Sequence, residues 1–319
     1  MNITVPLNAV AIRSRLMLQV ASEIVGQNER GIRVAEVCLR ELGDPDGLRF
    51  SSLSTMTSML DVAEGKLDVA IANPSAALTL AYRGTGPFPD PLPLRTIAII
   101  PSADQFVFAV SEATRLSRFE DIAVHKPGLR VLLRGVPDHF LHTMLDDIAA
   151  AAGFKTADLL AWGGALRKIG PHPMPGDAKF AAIENGEADA MFDEGAAGWV
   201  DAAARMGMTI LSLSDQTLTK LEARGYRRAI LYKKDHPHLP FDIQTVDFSG
   251  WPIFVRADLS DQRVTLICQA LEQRKNDIAW QQPGPLPIHR MCTDTPEAPL
   301  GAPLHPAAER FWRRCGYLP

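Results

Sequence analysis

Asp193 and Glu194 stand side by side at the end of a short apolar run, in the stretch 190–199, "AMFDEGAAGW". A strand end needs no charge, and a helix-like segment follows at once. Carboxylates in a helix's first turn cap its free N–H groups and suit the positive dipole end, an effect worth about 1 kcal/mol. One cap meets that need, so the second carboxylate points to binding. Asp138 and His139 hold a similar place in "GVPDHFLHT" (135–143), where Asp138 is placed as an N-cap and His139 and His142 fall one turn apart. His139 with Asp193 and Glu194 is a set able to do general acid–base work or to hold a divalent metal. Carboxylates crowded together without a cation would push at least one pKa up.

Neutral and aromatic groups extend the set. Ser54, Thr55, Asn73 and Ser75 are turn-and-cap residues that become ligand contacts only if a fold brings them together. Arg13 opens the first helix, where the dipole disfavours a cation, and this makes it the candidate anion partner. Phe248 and Trp251, in "DFSGWP" (247–252), suit either a hinge core or a stacking wall for a planar ligand.

The elements that must position these residues alternate along the chain. "ITVPL" leads to a helix over 14–25, "LRFSSL" to one over 55–64, and "LDVAIA" to one over 75–82, before "RTIAII" closes a first set. After "QFVFAV", "LRVLL" precedes a helix over 138–152 and "ADAMF" one over 196–206. The late strand-like segment "TVDFSGWPIFVR" then leads to a long helix over 260–278. Strands separated by such helices imply βαβ units and a mainly parallel sheet. An internal echo joins 63–81 to 183–202: Gly65 aligns with Gly186, Asp68 with Asp189, and the loop Asn73-Pro74-Ser75 is read against Asp193-Glu194-Gly195. In open α/β sheets the ligand crevice lies beyond the carboxyl ends of the strands, where both loops fall.

The 319 residues suffice for two lobes, each with its own core. A net charge of −4 gives no basic field, so nucleic acid and anionic membrane are excluded as partners. The chain has no Walker loop, HExxH or Cys-x-x-Cys. Cys38 and Cys268 sit in helical patterns as small hydrophobes. No apolar run is long enough to span a membrane. Because no leader precedes "ITVPL", the chain as it stands reads as cytoplasmic; a trimmed mature form would be periplasmic.

Three stretches carry a family resemblance. "LDVAEGKLDVAIANPSAALTLAYRGTGPF" (60–88) has a helix, a Gly-x-apolar-Asp strand, a second helix and Tyr-Arg-Gly-x-Gly. "FVRADLSDQRVTLICQALEQRKNDI" (254–278) takes an Arg-Ala-Asp-Leu turn into a long helix. "PLHPAAERFWRRCGYLP" (303–319) closes on Leu-His-Pro and an aromatic, with His305 read as the cap of the last helix. On these the chain resembles the TAXI-type solute receptors of tripartite ATP-independent periplasmic (TRAP) transporters. The resemblance implies an α/β, two-lobed periplasmic-binding-protein fold of type II, with mainly parallel sheets and two crossing hinge strands. Lobe one would be 1–103 plus 250–319 and lobe two 104–249, with crossings near Pro101–Gln105 and Asp247–Gly250. A TRAP membrane permease would be the partner.

Two departures bear on the ligand. The family's glycine-rich first loop reads "LNAVAIRSR" (7–15) here, which puts Asn8 and Arg13 at that place. Its Pro-Gly-Ser-Gly-Thr loop is replaced by the stretch holding Asp138 and His139, whose carboxylate competes with an anionic ligand for a helix N-terminus. The insert "GGALRKIGPHPMPGD" (163–177) suits either a lid or a surface loop.

Two functions follow. The first is a receptor without cofactor, holding a small polar organic acid or amino-acid-like solute between closing lobes. The second is a cytosolic enzyme on the same scaffold, such as a decarboxylase or lyase acting on a hydroxylated aromatic or other carboxylic acid. In that reading His139, Asp193 and Glu194 would be catalytic or would bind a divalent metal.

Overall fold

A computed structural model of the chain describes residues 9–27, 32, 34–41 and 46–319. The first strand expected at 3–7 and the candidate Asn8 lie outside them. Helix α1 (Ala9–Gln27) comes first, exposed along 12–27. The next elements are β1 (Glu36–Leu39), β2 (Leu48–Ser51), α2 (Met56–Ala63), β3 (Val69–Ile71), α3 (Ser75–Arg83) and β4 (Leu94–Ile100). The second half runs through β5 (Val107–Ser111), α4 (Asp121–His125), β6 (Arg130–Arg134), α5 (Phe140–Ala152), α6 (Thr156–Ala161) and β7 (Ala165–Ile169). It continues with α7 (Ala178–Glu184), β8 (Ala190–Asp193), α8 (Ala196–Arg205), β9 (Met208–Ile210), α9 (Asp215–Arg224), β10 (Arg228–Leu231) and β11 (Ile243–Val246). The chain closes on β12 (Trp251–Arg256), α10 (Asp261–Arg274), α11 (Ile288–Met291) and α12 (Pro306–Arg314).

Two five-stranded sheets result, ordered β1-β2-β3-β12-β4 and β7-β6-β8-β5-β9, with β10 and β11 as a separate antiparallel pair. In each large sheet the strand arriving from the other half runs against its neighbours: β12 is antiparallel to β3 and β4, and β5 to β8 and β9. The connecting segments pair with each other. Phe248 donates its N–H to Asp104 O at 2.9 Å, Gly250 to Ser102 O at 2.9 Å, and Phe106 to Val246 O at 3.0 Å. This is the two-lobed periplasmic-binding-protein type of fold with two crossing strands.

One apolar cluster runs through both halves, bringing Leu78, Leu80 and Phe88 together with Phe140, Leu141, Leu145 and Phe248. A second lies beneath α10, α11 and α12, where Val255, Cys268, Met291 and Trp312 meet. The fully buried Trp312 donates its indole N–H to Ile97 O at 2.9 Å. His305 accepts from Ala307 N–H through Nδ1 and so caps α12, as expected; Pro306 opens that helix, where a missing N–H costs nothing. A third cluster packs α7 and α8 on the second sheet through Phe180, Met191 and Trp199.

The internal echo has a structural basis. Gly65 and Gly186 both turn left-handed, at φ +78° and +69°. Asp68 accepts from Arg49 N–H at 2.8 Å and returns its own N–H to Arg49 O; Asp189 does the same with Arg130, at 2.9 Å. The loop register is corrected by one residue, however. Ser75 opens α3 and Ala196 opens α8 at the same offset that relates the two glycines, so Asn73 matches Glu194 and buried Ala72 matches Asp193. Other expectations also shift. Cys38 lies exposed on β1 rather than in a helix, and the 163–177 insert contributes β7 to the sheet edge.

Candidate functional site

Strands β6 and β8 are parallel neighbours with Leu132 level with Met191, so Arg134 and Asp193 emerge side by side at their carboxyl ends. Arg134 donates Nε to Asp193 at 3.1 Å, and its Nη2 bonds both Asp193 and Glu194. Lys179, from the first turn of α7, reaches the other Asp193 oxygen at 3.0 Å and Pro171 O at 2.6 Å. Asp193 is 0% exposed and Lys179 1%. Two carboxylates thus meet two buried cations, which is why this strand end carries charge; either sign alone would be left uncompensated at a large cost. Burial pushes the Lys179 pKa down, against the pull of Asp193.

The helix-cap role expected of the acidic pair belongs to Asp104, on the first crossing. Its carboxylate accepts from Gly195 N–H at 2.9 Å and Ala196 N–H at 3.2 Å, at the start of α8. Burial, then the charge of Glu194, raises the Asp104 pKa to about 7 although these N–H groups pull it down. Asp138 does not cap α5 either: it is exposed, and His139 is the cap, its Nδ1 accepting from Leu141 N–H at 3.3 Å. The His139 ring stacks on Phe248 with centroids 6.4 Å apart. Burial and then the Arg134 charge hold its pKa down at about 4, so the imidazole is neutral at pH 7. Among the described residues no three His, Cys, Asp or Glu side chains form a metal-binding group, and Asp193 and Glu194 are turned to Arg134.

On the first half, Ser54 accepts from Asn73 N–H at 2.6 Å, tying the β2–α2 turn to the end of β3. Thr55 caps α2 in a reciprocal pair with Ser58. Ser75, 2% exposed, donates its N–H to Ser249 O at 3.1 Å on the second crossing. A Cβ at Gly250 would fall 2.4 Å from Ser75 Oγ, at a φ of +78°, so only glycine fits this approach. Ser75 Oγ and Asn73 Oδ1 are buried with no hydrogen-bond partner.

The structure therefore brings His139, Asp193, Glu194 and Phe248 into one neighbourhood around Arg134, and Asn73 and Ser75 against the second crossing. Trp251 does not join Phe248; it packs with Val255 on the opposite face of the first sheet. Arg13 lies exposed on α1, and Arg134 is the cation that meets the carboxylates. Arg134, Lys179 and Asp104 escaped the sequence reading. A signal for the first was present: Arg130 and Arg134 are spaced by four residues in β6, as are Asp189, just before β8, and Asp193 at its end. Both pairs form, Arg130 with Asp189 at 2.7 and 2.8 Å. The turn after β7 covers the start of α8, with His172 beside Gly195.

A family model described as the NMT1-like family matches residues 31–316. The chain belongs to the NMT1-like family. No curated protein matches this NMT1-like chain. Among solved structures it is similar to the substrate binding protein of an amino acid ABC transporter, at 11% identity over 81% of this chain and 80% of that one, with a TM-score of 0.29. It is similar to the alkanesulfonate-binding protein SsuA from Xanthomonas axonopodis pv. citri, at 13% identity, 69% and 80% coverage and a TM-score of 0.30. It is also similar to the glycine/betaine/L-proline-binding protein ProX from Borrelia burgdorferi, at 13% identity, 68% and 66% coverage and a TM-score of 0.35. Superpositions this loose leave the assignment to the family match. Among the described residues no helix is long and apolar enough to cross a membrane.

Proposed function

We propose that this NMT1-like protein binds a small polar organic acid or amino-acid-like solute between two lobes, 1–103 with 250–319 and 104–249. In this reading it serves as a TAXI-type receptor working with a TRAP permease. The observation that carries the reading is the pair of orphaned polar atoms, Asn73 Oδ1 and Ser75 Oγ, buried beside the second crossing. A buried polar atom without a partner costs about 1–3 kcal/mol, and a solute that hydrogen-bonds both recovers that cost. Arg134, rather than Arg13, supplies the anion contact: Nε and Nη2 are engaged, while Nη1 has no partner among the described residues. A solute touching both lobes favours the closed form because some of its contacts exist only there.

The test is thermal melting against a panel of organic acids and amino acids. At least one should raise the melting temperature with the logarithmic concentration dependence of native-state binding, and Asn73→Ala with Ser75→Ala should weaken it. Flat curves across the panel would remove the reading. Asp104, poised near neutrality beside Glu194, supports the second reading of a decarboxylase or lyase acting on a carboxylic acid. That one needs turnover of a hydroxylated aromatic acid that Asp104→Asn abolishes.

A further inference from the structure

A cavity of about 900 Å³ shares none of its lining with the Arg134 cluster. Both crossings contribute to it, through Gln105, Asp247 and Ser249; Arg227 and Tyr232 flank β10, and Asp294 comes from the segment between α11 and α12. The volume lies within the roughly 300–1,000 Å³ of small-molecule sites, which favour the junction of two domains. Its charges are of both signs and incompletely matched. Arg227 bonds Asp294 through Nη2 alone, at 2.6 and 2.8 Å, so its Nε and Nη1 have no partner among the described residues. Arg228, also in the wall, is taken up by Glu222 and Asp215. Asp247 accepts from the Ser249 hydroxyl at 2.5 Å and forms no salt bridge to a described cation. Burial lifts its pKa to about 6, against the nearby Arg227 charge.

We propose that this cavity is a second ligand site, for a small zwitterion whose carboxylate meets Arg227 and whose ammonium meets Asp247. Planar donors suit a carboxylate, and a half-buried carboxylate lacking its own cation suits an ammonium.

The test is calorimetric titration of the full chain with glycine, β-alanine and γ-aminobutyrate, which step the spacing between the two charges. One of them should bind wild type at about 10 mM or below. Arg227→Gln and Asp247→Asn should each weaken it at least about tenfold, and Arg130→Gln, at the exposed Asp189 pair outside both sites, should leave it unchanged. Circular dichroism checks that each variant folds. Ala103→Trp, at an exposed wall position, narrows the space while leaving Arg227 and Asp247 in place, and should weaken binding even if Asp247→Asn misfolds. No binding by wild type, or binding indifferent to both cavity substitutions, overturns the site. Loss confined to Arg134→Gln also overturns it and places the zwitterion in the other cluster, leaving the proposed function standing.

Discussion

Gly195 donates its backbone N–H to both carboxylate oxygens of Asp104, each at 2.9 Å. A residue of the first crossing thereby caps α8, and the same N–H groups start the helix that carries Trp199, whose indole returns to Glu194 O at 2.9 Å. The crossing, the acidic pair and the helix are one hydrogen-bonded unit. Movement about the crossings would have to carry α8 along or break these bonds.

The unit has a pH signature. The folded pKa of Asp104, about 7, lies above the ordinary value near 3.9. A carboxyl raised on folding stabilises fully below its unfolded pKa and loses that contribution as pH climbs through the folded one. His139 has the opposite sign, since a folded pKa of about 4 stabilises above its unfolded value and is lost as pH falls. The readout is therefore the difference between variants. Urea unfolding of Asp104→Asn should gain on wild type between pH 4 and 7, by an amount on the order of a few kcal/mol. A difference independent of pH would mean that Asp104 titrates normally.

Burial separates two ion pairs built alike. Arg134–Asp193 is enclosed, whereas Arg130 is 41% exposed in its side chain. Asp193→Asn leaves Arg134 and Lys179 short of a counter-charge, and breaking such a buried pair costs about 3–5 kcal/mol. Asp189→Asn at the exposed pair should cost far less, because water screens it. Replacing Lys179 by Met together with Asp193→Asn should recover part of the loss, since one buried cation goes with the anion. Chemical denaturation of the four proteins checks this, and equal losses for the two single Asp variants would contradict the burial argument.

Strand and helix placement was legible where alternating apolar runs and amphipathic segments fix it locally, as in α3, expected over 75–82 and spanning Ser75–Arg83, but not at β1 or β7. The segments named by the resemblance, near 101–105 and 247–250, pair with each other through backbone hydrogen bonds. The partners of the acidic pair were not, since Arg134 lies 59 residues before Asp193 and only the parallel register of β6 and β8 joins them. Lys179 was hidden for another reason: a lysine in a first helical turn reads as solvated, and only burial beside Asp193 reveals its part. Asp138 misled because a carboxylate before a helix is the stronger cap by type, yet the backbone turns one residue later, at His139.

The last prediction concerns the Tyr-Arg-Gly-x-Gly loop at 82–86. Thr85 Oγ1 donates to Arg224 O at 2.6 Å, and Arg224 with Tyr226 holds Asp147 at 2.7 and 2.6 Å. Gly86 faces that carboxylate: a Cβ there would sit 2.8 Å from Asp147 Oδ2, at a φ of +62°. The loop after α3 is thereby fastened to α5 and α9 of the second half. Thr85→Val removes one hydrogen bond, about 1 kcal/mol. Gly86→Val adds left-handed strain of about 1–2 kcal/mol and drives a side chain into Asp147. If the contact holds the halves shut, small-angle scattering of Gly86→Val should show a larger radius of gyration than wild type, while Thr85→Val stays close to it. An unchanged radius with lowered stability would make the loop a local brace and not a latch.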